Sequence, residues 1–178
     1  MDFLESLDQG AVHPFRYVTQ VAALRPVTVA LSVLGHPLSL LLVVVVAAAL
    51  LTRRGDGRSA VRLVLAFLVA MAVGFLGVAL VPRPWPNTGW SPLPPLTANS
   101  FPSIHAVGAA AVYGALGVFV ARRTGRRWPL VVGPLLALLA GAGQLLVAHN
   151  FLTDVLAGWM AGAVLAVLCT DLPAGEAR

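Results

Sequence analysis

NSFPSIHAVGAAA, residues 99–111, places Pro102, Ser103 and His105 at the mouth of an otherwise apolar, small-residue segment. A hydroxyl and an imidazole two residues apart stand out because the chain avoids polar groups nearly everywhere else. Of its 178 residues 58% are hydrophobic and only 11% charged, and the mean hydropathy is +0.87. That balance is far from a soluble average and predicts an integral membrane protein of one domain. The stretch at 99–111 is then the polar entrance to a membrane-spanning helix.

Apolar runs near the ~20 residues needed to cross the hydrocarbon core occur at about 38–52, 60–81, 106–121, 129–148 and 152–170. A further apolar stretch at 27–35 is too short to cross alone and ends at Gly35-His36-Pro37, a turn signal that leaves it to lengthen the first span or lie beside it. The expected fold is therefore all-α, a polytopic transmembrane bundle of five to six helices. Its divisions are an N-terminal interfacial segment at 1–25, the bundle at 26–171 and a tail at 172–178. Residues 1–25 mix Asp2, Glu5, Asp8, Arg16 and Arg25 with Phe3, Leu4, Leu7, Phe15, Tyr17 and Val18, which suits a helix lying in the interface. The acidic start does not resemble a cleavable signal peptide, and no internal repeat is evident.

The net charge of +5 comes from twelve arginines and no lysine. Arg53, Arg54, Arg58 and Arg62 follow the first span, and Arg122, Arg123, Arg126 and Arg127 follow the third. Such clusters mark cytoplasmic loops, which argues against a nucleic-acid partner and for a topology signal. The opposite, extracytoplasmic face receives the loop 82–104 and the turn VAHNFLTD at 147–154. That loop holds seven of the thirteen prolines and two of the four tryptophans, so it can neither cross lipid as a helix nor pair its backbone there. It is expected to cap the bundle. Cys169 is the single cysteine, inside an apolar run, and reads as packing.

The polar groups collect on that same face. Arg83 lies in the loop, Ser103 and His105 open the third span, Gln144 nears the end of the fourth, and His149, Asn150 and Asp154 surround the start of the fifth. A carboxylate inside a span costs about 2.5–3.5 kcal/mol even on a lenient scale, so Asp154 should be paired or functional. An arginine fork matches phosphate oxygens, helix-start amides and a serine hydroxyl add donors, and histidines move protons or attack phosphorus. The inventory suits phosphoryl transfer without calling for a metal or a cofactor, and no close-spaced metal motif is present.

Three stretches resemble the signatures of the type 2 phosphatidic acid phosphatase (lipid phosphate phosphatase) superfamily. SFPSIHAVGAA is similar to its Pro-Ser-Gly-His motif opening a helix, NFLTDVLAGWMAG to the end of its Ser-Arg, five residues, His, three residues, Asp motif, and PRP at 82–84 to the Arg-Pro that ends its first motif. The resemblance covers roughly residues 38–170. It implies a histidine-based site in which His105 protonates the leaving oxygen, Asp154 orients the attacking imidazole, and Arg83 and Ser103 hold phosphate oxygens. The departures are specific. Leu76 stands at the motif lysine, Ile104 at the glycine, Gly143 at the serine, Gln144 at the arginine and Asn150 at the nucleophilic histidine. Asparagine cannot carry a phosphoryl group, so His149 is the remaining nucleophile, with Gln144 and Asn150 left as phosphate contacts. On a regular helix His149 and Asp154 would diverge by about 140°, which disfavours His149 unless the chain is unwound there.

Each residue also has a plain structural reading. Ser103 can be a helix N-cap and His105 an interfacial histidine, Arg83 a snorkelling arginine, and Asp154 a helix-start residue bonded to its own amides. Gln144 and Asn150 read as interhelical hydrogen-bond partners. His13 and His36, each before a proline, read as interfacial turns, and Trp85, Trp90, Trp128 and Trp159 as an aromatic belt. GAAAVYGALG and GWMAGAV read as close-packing stripes. Two functions follow. The first is a phosphohydrolase or phosphotransferase acting on a polyprenyl or glycerolipid phosphate at the outer face of a bacterial cytoplasmic membrane. The second is a catalytically impaired relative that binds or moves lipid phosphates or supports a partner enzyme. A channel or carrier is disfavoured because no broken-helix pair is evident in the sequence. Expected partners are the lipid phosphate and membrane lipids, with a homo-oligomer left open.

Overall fold

The computed structural model describes residues 5–11, 21–86 and 95–171. Residues 5–11 are helical, and after a 3-10 turn at Ala22–Leu24 come α1 (Arg25–Leu34), α2 (Pro37–Arg53), α3 (Gly57–Leu80), α4 (Ile104–Thr124), α5 (Pro129–Leu146) and α6 (Leu152–Asp171). The expectations for His13, Phe15, Tyr17, Trp90 and the tail at 172–178 lie outside the described residues.

Local chemistry sets these boundaries. His36 caps α2 by accepting the Leu38 N–H at 3.3 Å, with Pro37 at the first helical position where no donor is missed. Asp56 caps α3 through the Ser59 N–H at 3.2 Å, and Ser103 caps α4 through the Ala106 N–H at 3.4 Å. Gly125 closes α4 in the left-handed region at φ 67°, where a side chain is disfavoured.

Among the described residues four helices, α3 to α6, are long and apolar enough to span a membrane, and α1 with α2, bent by 55°, passes the same test as one broken span. The stretch at 27–35 is thus a helix of its own. This corrects the expectation that no broken pair exists: Gly35 and Pro37 interrupt the ladder, and the freed Leu34 carbonyl accepts the Tyr113 hydroxyl of α4 at 2.8 Å. The outward surface is apolar, with Leu38, Leu80, Val131 and Met160 all at least 65% exposed, while much of the interior is Ala and Gly. Such an inverted surface belongs in lipid. The chain is an integral membrane protein.

The helix α4 is the hub, packed against α3, α5 and α6. Small residues permit the approach. A Cβ at Gly162 would collide with the Val107 carbonyl oxygen and lie 2.6 Å from the Ala110 methyl, and one at Gly158 would lie 2.8 Å from the Ala106 methyl. Gly162→Val is therefore expected to destabilise the bundle by about 1–3 kcal/mol, read as a lowered melting temperature in detergent, and Gly55→Ala, which meets nothing, serves as a comparison for local backbone strain.

Arginines tie one end of the bundle together. Arg123 donates to the Arg54 carbonyl at 2.9 Å, and Arg122 to the Thr170 carbonyl at 2.8 Å. Consequently α2, α4 and α6 all start at the opposite end, where the loop after α3 and the turn 147–151 also lie. Trp159 departs from the belt expected of it. It sits midway along α6 over Gly141, and its indole N–H donates to the Ala137 carbonyl at 2.9 Å, so it serves as a half-buried helix linker.

Candidate active site

The helices α4 and α6 meet at their first turns. The Ser103 N–H donates to the Asp154 carbonyl at 3.1 Å, joining the start of α4 to that of α6. The Ser103 hydroxyl, fully buried, donates to Asn150 Oδ1 at 2.9 Å, and Asn150 Nδ2 donates to the Ser100 carbonyl at 2.6 Å. Ser103 is therefore both the helix cap and a bridge to the second element.

The turn before α6 decides where His149 goes. Ala148 has φ 57°, a left-handed conformation uncommon for a residue with a side chain, and α6 starts only at Leu152. His149 and Asn150 thus precede the helix. The 140° divergence expected on a continuous helix does not apply, because the chain is unwound between Val147 and Phe151. His105, His149 and Asn150 line one small cleft of about 20 Å³, bounded by Pro95, Leu96, Thr97, Asn99, Ser100, Pro102, Ile104 and Val78. Residues 95–100 roof it, pinned by Ser100 N–H to the Arg83 carbonyl at 2.7 Å and by Asn99 Nδ2 to the Val78 carbonyl at 3.1 Å.

Two aromatic contacts hold the imidazoles. The His36 ring meets His105 edge-on at 5.8 Å, and Trp85 meets His149 edge-on at 6.3 Å. Since His36 Nδ1 accepts a backbone N–H, any proton on a neutral His36 ring is on Nε2.

Arg83 and Asp154 lie beside the cleft and do not line it. Arg83 Nη1 donates to Asp154 Oδ1 and to the Thr153 hydroxyl, the latter at 2.7 Å, while Nη2 pairs with Asp8. The guanidinium also stacks on Phe151, 4.5 Å from the ring centroid. Asp154 Oδ2 accepts the Phe151 N–H at 2.7 Å, so this carboxylate fixes the turn that carries His149. Gln144 is elsewhere. Its amide donates to the Ser32 hydroxyl at 2.9 Å, tying α5 to α1, and its buried Oε1 has no hydrogen-bond partner among the described residues.

The residues singled out from sequence thus divide into three sets: His105, His149 and Asn150 at the cleft with Ser103 behind them, Arg83 with Asp154 at the start of α6, and Gln144 at a helix seam. Sequence reasoning missed Asp8, His36, Ser100 and Thr153. Of these, His36 carried a readable signal, since Gly35-His36-Pro37 starts a helix at the depth of His105.

Residues 59–177, about two-thirds of the chain, match the PAP2 superfamily. No curated protein matches. Among solved structures, a transmembrane PAP2-type phosphatidylglycerolphosphate phosphatase from Bacillus subtilis is similar at a TM-score of 0.85, with 22% identity over 95% of this chain and 85% of that one. At that identity the likeness speaks for the fold.

Proposed function

This chain belongs to the PAP2 superfamily, and on that footing we propose that it is a membrane phosphohydrolase or phosphotransferase acting on a lipid-linked phosphate, either a polyprenyl or a glycerolipid phosphate. The observation that carries the reading is the shared cleft of His105, His149 and Asn150 at the start of two spans. In the first step a His149 nitrogen attacks phosphorus, the bond from phosphorus to the lipid oxygen breaks, and protonated His105 delivers its proton to that oxygen. Water, or an acceptor hydroxyl, then takes the phosphoryl group from His149 and the proton returns to His105.

Asp154 acts as a positioning residue through the Phe151 amide. Asn150 Nδ2 is the uncharged donor at the cleft, released toward a phosphate oxygen when Ser100 moves away from it, while Ser103 caps α4 and holds Asn150 in place. The Lys and Arg positions held by Leu76 and Gln144 cost cationic stabilisation, and a helix end offsets part of it: α4 begins at the cleft with Ile104 and His105, presenting the positive end of its dipole, worth ~0.3–1 kcal/mol to an anion. A phosphoryl group is larger than the cleft, so its entry requires residues 95–100 to move outward. The arginine-rich ends favour an orientation with the site on the outer face of a bacterial cytoplasmic membrane.

One observation favours a second reading, an impaired member that binds or moves lipid phosphates or supports a partner enzyme: Arg83 is held between two carboxylates. Phosphate release from a panel of polyprenyl and diacylglycerol phosphates by the purified protein separates the two. Release from one of them is expected. No release, from a preparation that melts cooperatively and still binds a lipid phosphate, overturns the enzymatic reading.

A further inference from the structure

Asp8 is the unexpected occupant of this end of the bundle. Its side chain is 2% exposed although Glu5, Ser6, Leu7, Gln9 and Gly10 around it are all exposed. Oδ1 accepts the Thr153 N–H at 3.0 Å, Oδ2 accepts the Thr153 hydroxyl at 2.7 Å, and Oδ2 also pairs with Arg83 Nη2. A guanidinium, a helix-start amide and a hydroxyl converging on two oxygens are the donors that a phosphate monoester accepts. The seat lies three residues beyond Asn150, on the turn that carries His149.

The segment 5–11 buries little apolar surface. Leu7, the largest apolar side chain in it that is described, is 39% exposed, so apolar burial contributes little to holding residues 5–11 in place. The Asp8 carboxylate ties the segment to Thr153 and Arg83, and an anion of higher charge that makes the same bonds competes for that place. We propose that Arg83, the Thr153 amide and the Thr153 hydroxyl form a phosphate-binding subsite that is held closed by Asp8, an intramolecular competitor that must leave before a phosphate monoester can dock. The inference rests on the phosphate chemistry proposed above and adds to it a means of regulation: whatever draws residues 5–11 away opens the subsite.

A ligand whose seat is occupied by the chain itself binds more weakly by the fraction of time the seat is free. Titration of the detergent-solubilised protein with inorganic phosphate, and separately with micelles containing phosphatidic acid, measures this without turnover. Asp8→Asn keeps the side-chain size and removes the competing charge, and it is expected to tighten binding of at least one of the two by about tenfold or more. Adding Arg83→Gln should abolish the gain. Tightening only with phosphatidic acid assigns the seat to a lipid headgroup, and tightening with inorganic phosphate alone assigns it to free phosphate.

Unchanged or weaker binding of both by folded Asp8→Asn overturns the proposal and makes Asp8 a strut for Arg83. A second measurement leaves Asp8 in place. A nitroxide on Gln9→Cys, with Cys169 replaced by Ala, should become more mobile when the same ligands are added, and an unchanged spectrum at saturation contradicts displacement. Failure of the two readings is distinguishable. Tighter binding without hydrolysis removes the enzyme and keeps the competitor, whereas hydrolysis by the unmodified chain with no effect of Asp8→Asn does the reverse.

Discussion

Replacing His149 by alanine is expected to lower phosphate release by on the order of 10⁴-fold or more, the loss that follows removal of a nucleophile. His105→Ala should cost about 10²–10⁴-fold, as for a general acid. The contrast with Asn150→Ala carries the information. Asn150 holds the family's histidine position in the aligned register, yet its side chain is committed to the Ser103 hydroxyl and the Ser100 carbonyl, so its loss should reduce the rate by a smaller factor than either histidine. Initial rates on one lipid phosphate, with each variant checked for a cooperative melt, measure all three. A His149→Ala enzyme that keeps most of its activity would place the chemistry elsewhere.

The second large effect is on stability. Arg83→Ala leaves the Asp8 and Asp154 carboxylates facing one another with side-chain exposures of 2% and 0%. Removing one partner of a buried ion pair costs about 3–5 kcal/mol, and because Arg83 itself is 29% exposed the lower end, about 3 kcal/mol, is expected. The double variant Arg83→Ala with Asp8→Asn should recover part of that loss, since one of the two stranded charges is then gone. Thermal unfolding in detergent reads both. A change below about 0.5 kcal/mol for Arg83→Ala would class the pair with ordinary surface ion pairs.

Much of the fold was legible because the bilayer imposes it. Spans expected at 38–52, 60–81, 106–121, 129–148 and 152–170 correspond to α2 to α6 within a few residues. Apolar length, arginine clusters and a loop crowded with proline are compositional, so they survive without any knowledge of contacts. The broken first span was half legible: Gly35-His36-Pro37 read as a turn, but the 55° bend and the packing of α1 on α5 depend on partners far along the chain.

The site was less legible, for two physical reasons. Whether His149 or Asn150 reaches His105 depends on where α6 begins, and the device that delays it is a left-handed Ala148, a residue type that gives no warning of that conformation. Asp8 pairs across 75 residues with Arg83 and across 145 with Thr153. An acidic residue in an amphipathic terminal segment reads as solvated, and only the assembled bundle brings a cation and a helix start to meet it. Trp159 failed for the opposite reason: the belt expectation rests on depth, whereas a partner carbonyl on α5 decided its place.

The most direct measurement of the proposed chemistry is rapid quenching of the purified protein with a lipid phosphate labelled at phosphorus, followed by assay of protein-bound label. The proposed mechanism predicts label that survives alkali and is lost in acid, as a phosphoryl group on a histidine nitrogen should be, present in Asn150→Ala and absent from His149→Ala. Label that persists in His149→Ala, or steady phosphate release with no bound label at any quench time, would contradict His149 as the nucleophile.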